Sequence, residues 1–434
     1  MDPLLVVLLG LAGMFVLVLL YVPLGVAMAV AGIVGFGILG GLQPALSLLA
    51  SETATSFTSL DLATIPLFIM MGGFATAAGL SEDLYRMAYA LVGHRRGGLA
   101  LATVGGCAGF GAVCGSSIAT TATFGRVALR PMLARGYTPG FAAGTIAAGG
   151  TLGILVPPSV IMVIYAVLAQ ELIITLYVAA LIPAIVAIAL HAGAISLYVR
   201  WRPSSAPSGE RLSWQERLRE VRRCWAVVVL IAIVLGGLSF GVFTATEGAA
   251  VGAALAFAFA LMRRSLRRES FWRTLMDVAS TTAMIYVIII GATIFGYFVA
   301  VSHAPGALVG AVKDSGLPVA VLMAVLVAVY LVLGAFFDEV AAMVITLPFV
   351  LPLVKSWGYD PVWWGVINVT IVELGMLIPP LGMNVFVIHG IAPEVPLRAI
   401  YRGVMPYIAS NLVRLGLLLS VPPLALWLPE LLKG

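Results

Sequence analysis

Apolar runs of about 20 residues recur along nearly all of the 434-residue chain, divided by short polar or basic stretches. A helix needs roughly 20 apolar residues to cross a hydrocarbon core about 30 Å thick. The runs are rich in Leu, Ala, Val and Gly, and they lack the strict alternation of transmembrane barrel strands. The pattern predicts spans at 4–20, 22–41, 62–80, 139–169, 173–199, 224–243, 248–262, 276–300, 361–391 and 404–430. A polar stretch, SETATSFTSLD (51–61), is expected as a loop outside the membrane. The first run lacks a basic start and leads directly into the second, so it reads as a retained helix rather than a cleaved signal.

The chain is 62% hydrophobic and only 10% charged, more apolar surface than a soluble fold of this length can hide. Seventeen of its 24 basic residues are arginines in three places: 200–223, 263–273, and Arg95, Arg96, Arg126, Arg130 and Arg135 around the apolar run between them. Basic residues gather on the cytoplasmic side of membrane proteins, so these places are assigned inside and the N-terminus outside. Lys313, Lys355 and Lys433 then fall outside, a minority against the arginine bias. The segment 200–223 contains Pro203, Pro207 and several serines and reads as a linker between two halves. The net charge of +5 belongs to these loops and calls for no nucleic-acid partner.

Two segments do not fit as ordinary spans. Residues 98–134 begin and end among arginines on one side, and the middle reads GAVCGSSIATT (111–121). Residues 319–354 behave likewise from the other side, around LGAFFDEVA (333–341). Both read as re-entrant helical hairpins. Backbone that leaves a helix at membrane depth is tolerated only inside protein or beside a wet cavity.

Two spans contain helix-breaking sequence: GGTLGILVPPS (149–159) and IVELGMLIPPLGMN (371–384). The proline pairs start at 157 and 379, an offset of 222. The same offset carries Ser116 to Asp338, Ser117 to Glu339, Thr151 to Glu373 and Gly153 to Gly375. Each half therefore has a hairpin tip followed, 41 residues later, by a broken span (116 to 157, 338 to 379). Entry from opposite sides makes the repeat inverted, the layout of secondary transporters with sites near the midplane. The fold class is an all-α polytopic membrane protein with two re-entrant hairpins and two discontinuous helices.

Breaking a helix frees carbonyls on one half and N–H groups on the other. Carbonyls and hydroxyls suit a hard cation such as sodium, and N–H groups suit a carboxylate. Ser116, Ser117, Thr120 and Thr121 can supply hydroxyls at the first tip, or can bond back to their own helix. At the second tip Asp338 is a ligand or the N-cap of a helix over 339–351. Glu373 lies in mid-span and needs a basic partner or a pathway role. Glu247, in the turn TATEG (244–248), is read as structural, and Arg414 as pairing with another subunit or snorkelling.

Enzyme chemistry finds little support. Cys107, Cys114 and Cys224 form no CxxC pair, and His94, His191, His303 and His389 form no HExxH pattern. Asp338, Glu339 and Glu373 have no nucleophile–base pair beside them. No GxxxxGK[ST] phosphate loop is present.

GSSIAT (115–120), PMLARGYTPGFAAG (131–144), GGTLGILVPPS, LGAFFDEVAAMVITLPFVLPL (333–353) and IPPLGMNVFVIHGIAP (378–393) closely resemble the large membrane subunit of TRAP transporters, the tripartite ATP-independent periplasmic family. The resemblance covers essentially the whole chain. It implies an elevator-type secondary transporter in a bacterial inner membrane, importing an organic acid (a carboxylate or a sialic-acid-like compound) with sodium, Na+, as coupling ion. It also implies a separate small four-helix membrane subunit and a periplasmic substrate-binding protein. A partner-independent anion transporter of related architecture is the alternative.

Carried over position by position, the resemblance implies one sodium site at Ser116 and Ser117 with the break at Gly150, Gly153 and Val156. A second is implied at Gly334 and Asp338 with Gly375 and Ile378. Substrate is expected between the tips, near Thr120, Thr151, Glu373 and Asn384, although Glu373 stands where a small or neutral polar residue is expected. The implied organisation is an outer scaffold at 1–61, transport repeat 1 at 62–172, scaffold helices with the linker at 173–275, transport repeat 2 at 276–402 and a C-terminal scaffold helix at 403–434.

Overall fold

The apolar runs fold as helices, and glycines, prolines and capping side chains set where each one ends. The computed structural model describes residues 2–433. Its first half comprises α1 (Pro3–Leu19), α2 (Leu24–Gly40), α3 (Leu42–Thr58), α4 (Leu60–Ala77), α5 (Leu80–Val92), α6 (Gly98–Cys114), α7 (Ser117–Ala134), α8 (Pro139–Leu155), α9 (Val160–Ala169) and α10 (Ile173–Trp201). A linker follows, holding the short amphipathic α11 (Trp214–Arg223). The second half comprises α12 (Trp225–Ser239), α13 (Ala245–Met262), α14 (Arg268–Val301), α15 (Ala304–Asp314), α16 (Val319–Phe336), α17 (Glu339–Ser356), α18 (Pro361–Gly375), α19 (Met383–Ile391), α20 (Leu397–Ser420) and α21 (Pro423–Lys433). Among the described residues seven helices are long and apolar enough to cross a bilayer, or nine when the bent pairs α8–α9 and α11–α12 each count as one span. Leu8, Val34, Val228 and Val325 are exposed on outer helices, as a lipid-facing surface requires.

Adding 222 to the residue numbers carries the first half onto the second, element by element. Helices α6, α7, α8 and α9 land on α16, α17, α18 and α19, and α10 lands on α20. Helices α1 and α2 land on α12 and α13, so the repeat extends beyond the hairpin and broken span from which it was first read. Together α3 and α4 land on α14, one continuous helix of 34 residues. Packing obeys the same exchange: α2 lies along α14 as α4 lies along α13, and α19 packs on α7 as α9 packs on α17. The α3–α4 segment runs antiparallel to its counterpart, with Phe57 facing Tyr286, Gly73 against Thr274 and Phe74 stacked on Phe271. Equivalent helices running in opposite directions make the repeat an inverted one.

Several boundaries differ from those expected. Residues 51–58 are not a loop but the end of α3. The Ser51, Thr53 and Thr58 hydroxyls donate to the carbonyls of Leu48, Leu49 and Ala54, so polar side chains are satisfied without leaving the helix. Helix α14 starts inside the basic cluster at Arg268, because nothing between there and Thr274 breaks a helix. The expected span 404–430 is two helices, α20 and α21, parted at Val421–Pro422, where proline cannot continue the hydrogen-bond ladder. Helix α20 packs chiefly along α8 and α10.

Candidate functional site

At the first tip the chain turns through Gly115 (φ +64°), a left-handed conformation that favours glycine. A Cβ there would come within 2.8 Å of the Pro158 carbonyl oxygen, so the tip sits directly on the broken span. The Val160 N–H donates to the Gly115 carbonyl at 3.4 Å. Ser116 is the N-cap of α7: its Oγ accepts the Ala119 N–H at 3.4 Å. Its carbonyl accepts from the Thr120 N–H at 3.1 Å and from Thr120 Oγ1 at 2.7 Å.

The break faces this tip. Helix α8 ends at Leu155, Val156 is extended, and α9 leaves at 41°. Pro157 and Pro158 carry no N–H, so the carbonyls of Gly153 and Ile154 lack the donors an uninterrupted helix would give them. Gly153 is pressed from both sides. A Cβ on it would lie 2.7 Å from Thr120 Oγ1 and 2.8 Å from the Ser116 carbonyl oxygen, and a Cβ on Gly111 would lie 2.7 Å from its Cα. A Cβ on Gly150 would collide with Thr121 Oγ1. Ser116, Thr120, Gly150 and Gly153 are thus brought together, with Val156 at the break itself.

Ser117 faces the other repeat. Its Oγ accepts from Asn384 Nδ2 at 2.7 Å, and the same Nδ2 donates to the Ala147 carbonyl at 3.1 Å. Asn384 opens α19 just after the second break, so one side chain ties hairpin 1, helix α8 and break 2 together. Among the described residues, Thr121 Oγ1, Ser159 Oγ and Asn384 Oδ1 are buried with no hydrogen-bond partner. An unsatisfied buried oxygen is costly unless a ligand serves it. A hard cation with oxygen ligands fits such a set. The Thr151 hydroxyl turns away and donates to the Ala148 carbonyl at 2.8 Å. Ser159 was missed as a site residue, its position directly after a proline pair being the available signal, whereas Thr121 is one of the tip hydroxyls expected from the sequence.

The second tip repeats the geometry with different chemistry. A Cβ on Gly375 would lie 2.6 Å from the Gly334 carbonyl carbon, and the Leu381 N–H donates to the Ala335 carbonyl at 3.3 Å. Asp338 is the N-cap of α17, its Oδ1 accepting the Ala341 N–H at 2.7 Å. The Ile378 N–H still reaches Leu374 and Gly375 carbonyls, at 3.1 and 3.3 Å. Glu373 is fully buried and pairs with Arg414 of α20. Arg414 therefore neither snorkels nor waits for another subunit: its counter-ion lies in its own chain. The first site is built from neutral oxygens, whereas Asp338, Glu339, Glu373 and Arg414 cluster around the second.

The sequence pattern of the tripartite ATP-independent periplasmic transporter DctM component matches residues 11–424. The chain is 34% identical over 380 residues to a C4-dicarboxylate TRAP transporter large permease of Pseudomonas aeruginosa, covering 87% of this chain and 88% of that protein. It is 33% identical over 441 residues to the isethionate TRAP transporter permease DctMQ of Oleidesulfovibrio alaskensis, covering 98% of this chain and 66% of that longer one. In fold it is similar to the YdaH transporter of Alcanivorax borkumensis, with a TM-score of 0.63 at 16% identity over 93% of this chain and 97% of that one.

Proposed function

Since the chain belongs to the DctM-component family of tripartite ATP-independent periplasmic transporters, a family of multi-pass permeases, we propose that it imports an organic anion coupled to sodium by an elevator motion. The observation that carries this reading is the pair of hairpin tips seated on helix breaks, with orphaned oxygens at the first. Sodium held by Ser116, Ser117 and the carbonyls around Gly153 would fix tip to break, because the ion needs oxygens from both. At the second site Gly334, Asp338 and the carbonyls before Ile378 would do the same. Substrate would lie between, bridged by Asn384. The relatives' names, a C4-dicarboxylate permease and an isethionate permease, support a small organic anion as cargo.

The moving body in this reading is the hairpins with the broken helices, which pack on one another through α7, α8, α18 and α19. Helices α1–α4 and α12–α14, interlocked through the pairs α2–α14 and α4–α13, would form the fixed frame, which places 62–80 and 276–300 with the scaffold and not with the transport repeats to which the sequence assigned them. A small membrane subunit, fused in relatives of the DctMQ type, and a periplasmic binding protein would complete the system in a bacterial inner membrane.

The test is uptake into proteoliposomes holding the chain with its small subunit, with the binding protein loaded outside. Uptake should require both partners and an inward sodium gradient. Uptake unchanged when choline replaces sodium overturns the coupling. Full-rate uptake by the chain alone overturns the dependence on partners and leaves the partner-independent carrier.

A further inference from the structure

A cavity of about 390 Å³ lies between α5 and α7, on the side assigned to the cytoplasm. That size is at the low end of small-ligand pockets. Arg86, Arg126 and Arg135 line it together with Tyr85, Tyr89 and Glu82. The Arg135 guanidinium lies over the Tyr89 ring, 5.1 Å from its centroid, so its orientation is held. Glu82 stands 3.7 Å from Arg86 with both side chains about half exposed, and it offsets one of the three positive charges. Tyr85 is only 8% exposed, and its hydroxyl has no hydrogen-bond partner among the described residues. Three guanidiniums, a lone carboxylate and a buried hydroxyl without a partner make a lining short of an anion.

The inverted repeat supplies an internal control. At the positions 222 residues on, the cationic lining is absent: Arg86 corresponds to Leu308, Arg126 to Pro348 and Arg135 to Trp357. Glu82, Tyr85 and Tyr89 correspond to Ala304, Ala307 and Ala311. The basic lining is therefore a property of one repeat's sequence and not of the repeated fold.

Depth identifies the occupant. Ser117 begins α7 at the hairpin tip, and Arg126 follows nine residues later. Nine residues of helix rise roughly 14 Å, and half a hydrocarbon core is roughly 15 Å. With the tip at the midplane, the Arg126 backbone reaches the edge of the hydrocarbon core, from which its long side chain extends to the phospholipid phosphates of the inner leaflet. Arginine and tyrosine together suit that level. Basic pockets between helices on the cytoplasmic side take anionic headgroups.

We propose that the Arg86–Arg126–Arg135 cavity binds the phosphate headgroup of an anionic phospholipid of the cytoplasmic leaflet. The bound lipid would bridge α5 to the second helix of hairpin 1. The proposal rests on the membrane orientation set by the arginines, and not on sodium coupling or on the identity of the cargo.

The test uses the full chain, purified in detergent and then in nanodiscs, with thermal unfolding and native mass spectrometry as readouts. Phosphatidylglycerol should raise the unfolding midpoint and remain bound, where phosphatidylcholine does neither. Arg126→Gln with Arg135→Gln should weaken the apparent lipid affinity roughly tenfold or more. Arg126→Lys with Arg135→Lys should keep most of it. Arg86→Gln offers a second, single-site loss should the double variant fold poorly. An equal lipid response in the glutamine variants and the wild type overturns the site. So does a wild-type response to inorganic phosphate or glycerol phosphate that matches the lipid's, because the cavity would then take a free anion. No response of the wild type to phosphatidylglycerol overturns it as well.

Discussion

Replacing Arg414 by methionine tests the chemistry at the second break most directly. Glu373 and Arg414 both have side chains with 0% exposure, and they pair between α18 and α20. Among the described residues Glu373 Oε1, Arg414 Nε and Arg414 Nη1 have no other partner, so each charge depends on the other. Removing one member of a buried pair typically costs about 3–5 kcal/mol, since the remaining charge has lost its compensation. A lone charge at the centre of a membrane helix costs about 2.5–3.5 kcal/mol on insertion scales, so two routes give the same size. Arg414→Met alone, and Glu373→Gln alone, should each destabilise the protein by about 3 kcal/mol, more than a hundredfold in the unfolding equilibrium. The double variant should recover about half or more of the combined loss, because no unpaired charge remains and only a neutral amide stays buried without a partner. The assay is denaturant unfolding of the four purified proteins, treated as a double-mutant cycle. If Arg414→Met unfolds at the wild-type midpoint, or if the two losses simply add, the pair carries no buried charge and the reasoning fails. Sodium dependence of uptake, measured on the double variant, then separates structure from transport: an unchanged dependence makes the pair structural, and a lost one makes Glu373 part of the second site.

The other predictions address the first tip and the frame. Gly153→Ala places a methyl 2.7 Å from Thr120 Oγ1 and 2.8 Å from the Ser116 carbonyl, so uptake should fall by about tenfold or more with little change in expression; near-normal uptake would mean that tip and break need no contact. Ser117→Ala removes the acceptor for Asn384 and a candidate ligand, and should raise the sodium concentration for half-maximal uptake several-fold; an unchanged value makes the tip hydroxyl purely structural. Asp83→Asn should loosen the inner clasp in which Asp83 of α5 meets Arg263 at 2.5 Å and Arg223 at 3.1 Å. Both arginines are partly exposed, so the expected loss is about 1–2 kcal/mol, read as earlier unfolding and faster proteolysis of the 200–223 linker. A linker cut at the wild-type rate would argue that the clasp does not hold α11.

Much of the architecture was legible in the sequence because its causes are local. Proline pairs end helices wherever they stand, so the breaks at 157 and 379 needed no tertiary information. Gly115-Ser116 and Asp338 mark hairpin turns because glycine and N-caps stop and start helices within a few residues. The 222-residue offset is a property of the string, and it foretold which helices would be equivalents. Locality also explains the misreadings. A run of serine and threonine looks like a loop until their hydroxyls find carbonyls four residues back, as in α3.

Tertiary structure decided which groups meet. The bond from Asn384 to Ser117 joins residues 267 positions apart, and no pattern in either neighbourhood specifies the partner. Glu373 could be recognised as needing a cation, but only the packing of α18 on α20 chose Arg414. Ser159 became a candidate only once burial had removed its alternatives. Position along the chain fixes where helices can begin and end, since those rules act over a few residues. Partner choice is set by close packing among elements distant in sequence, which the order of residues constrains but does not display.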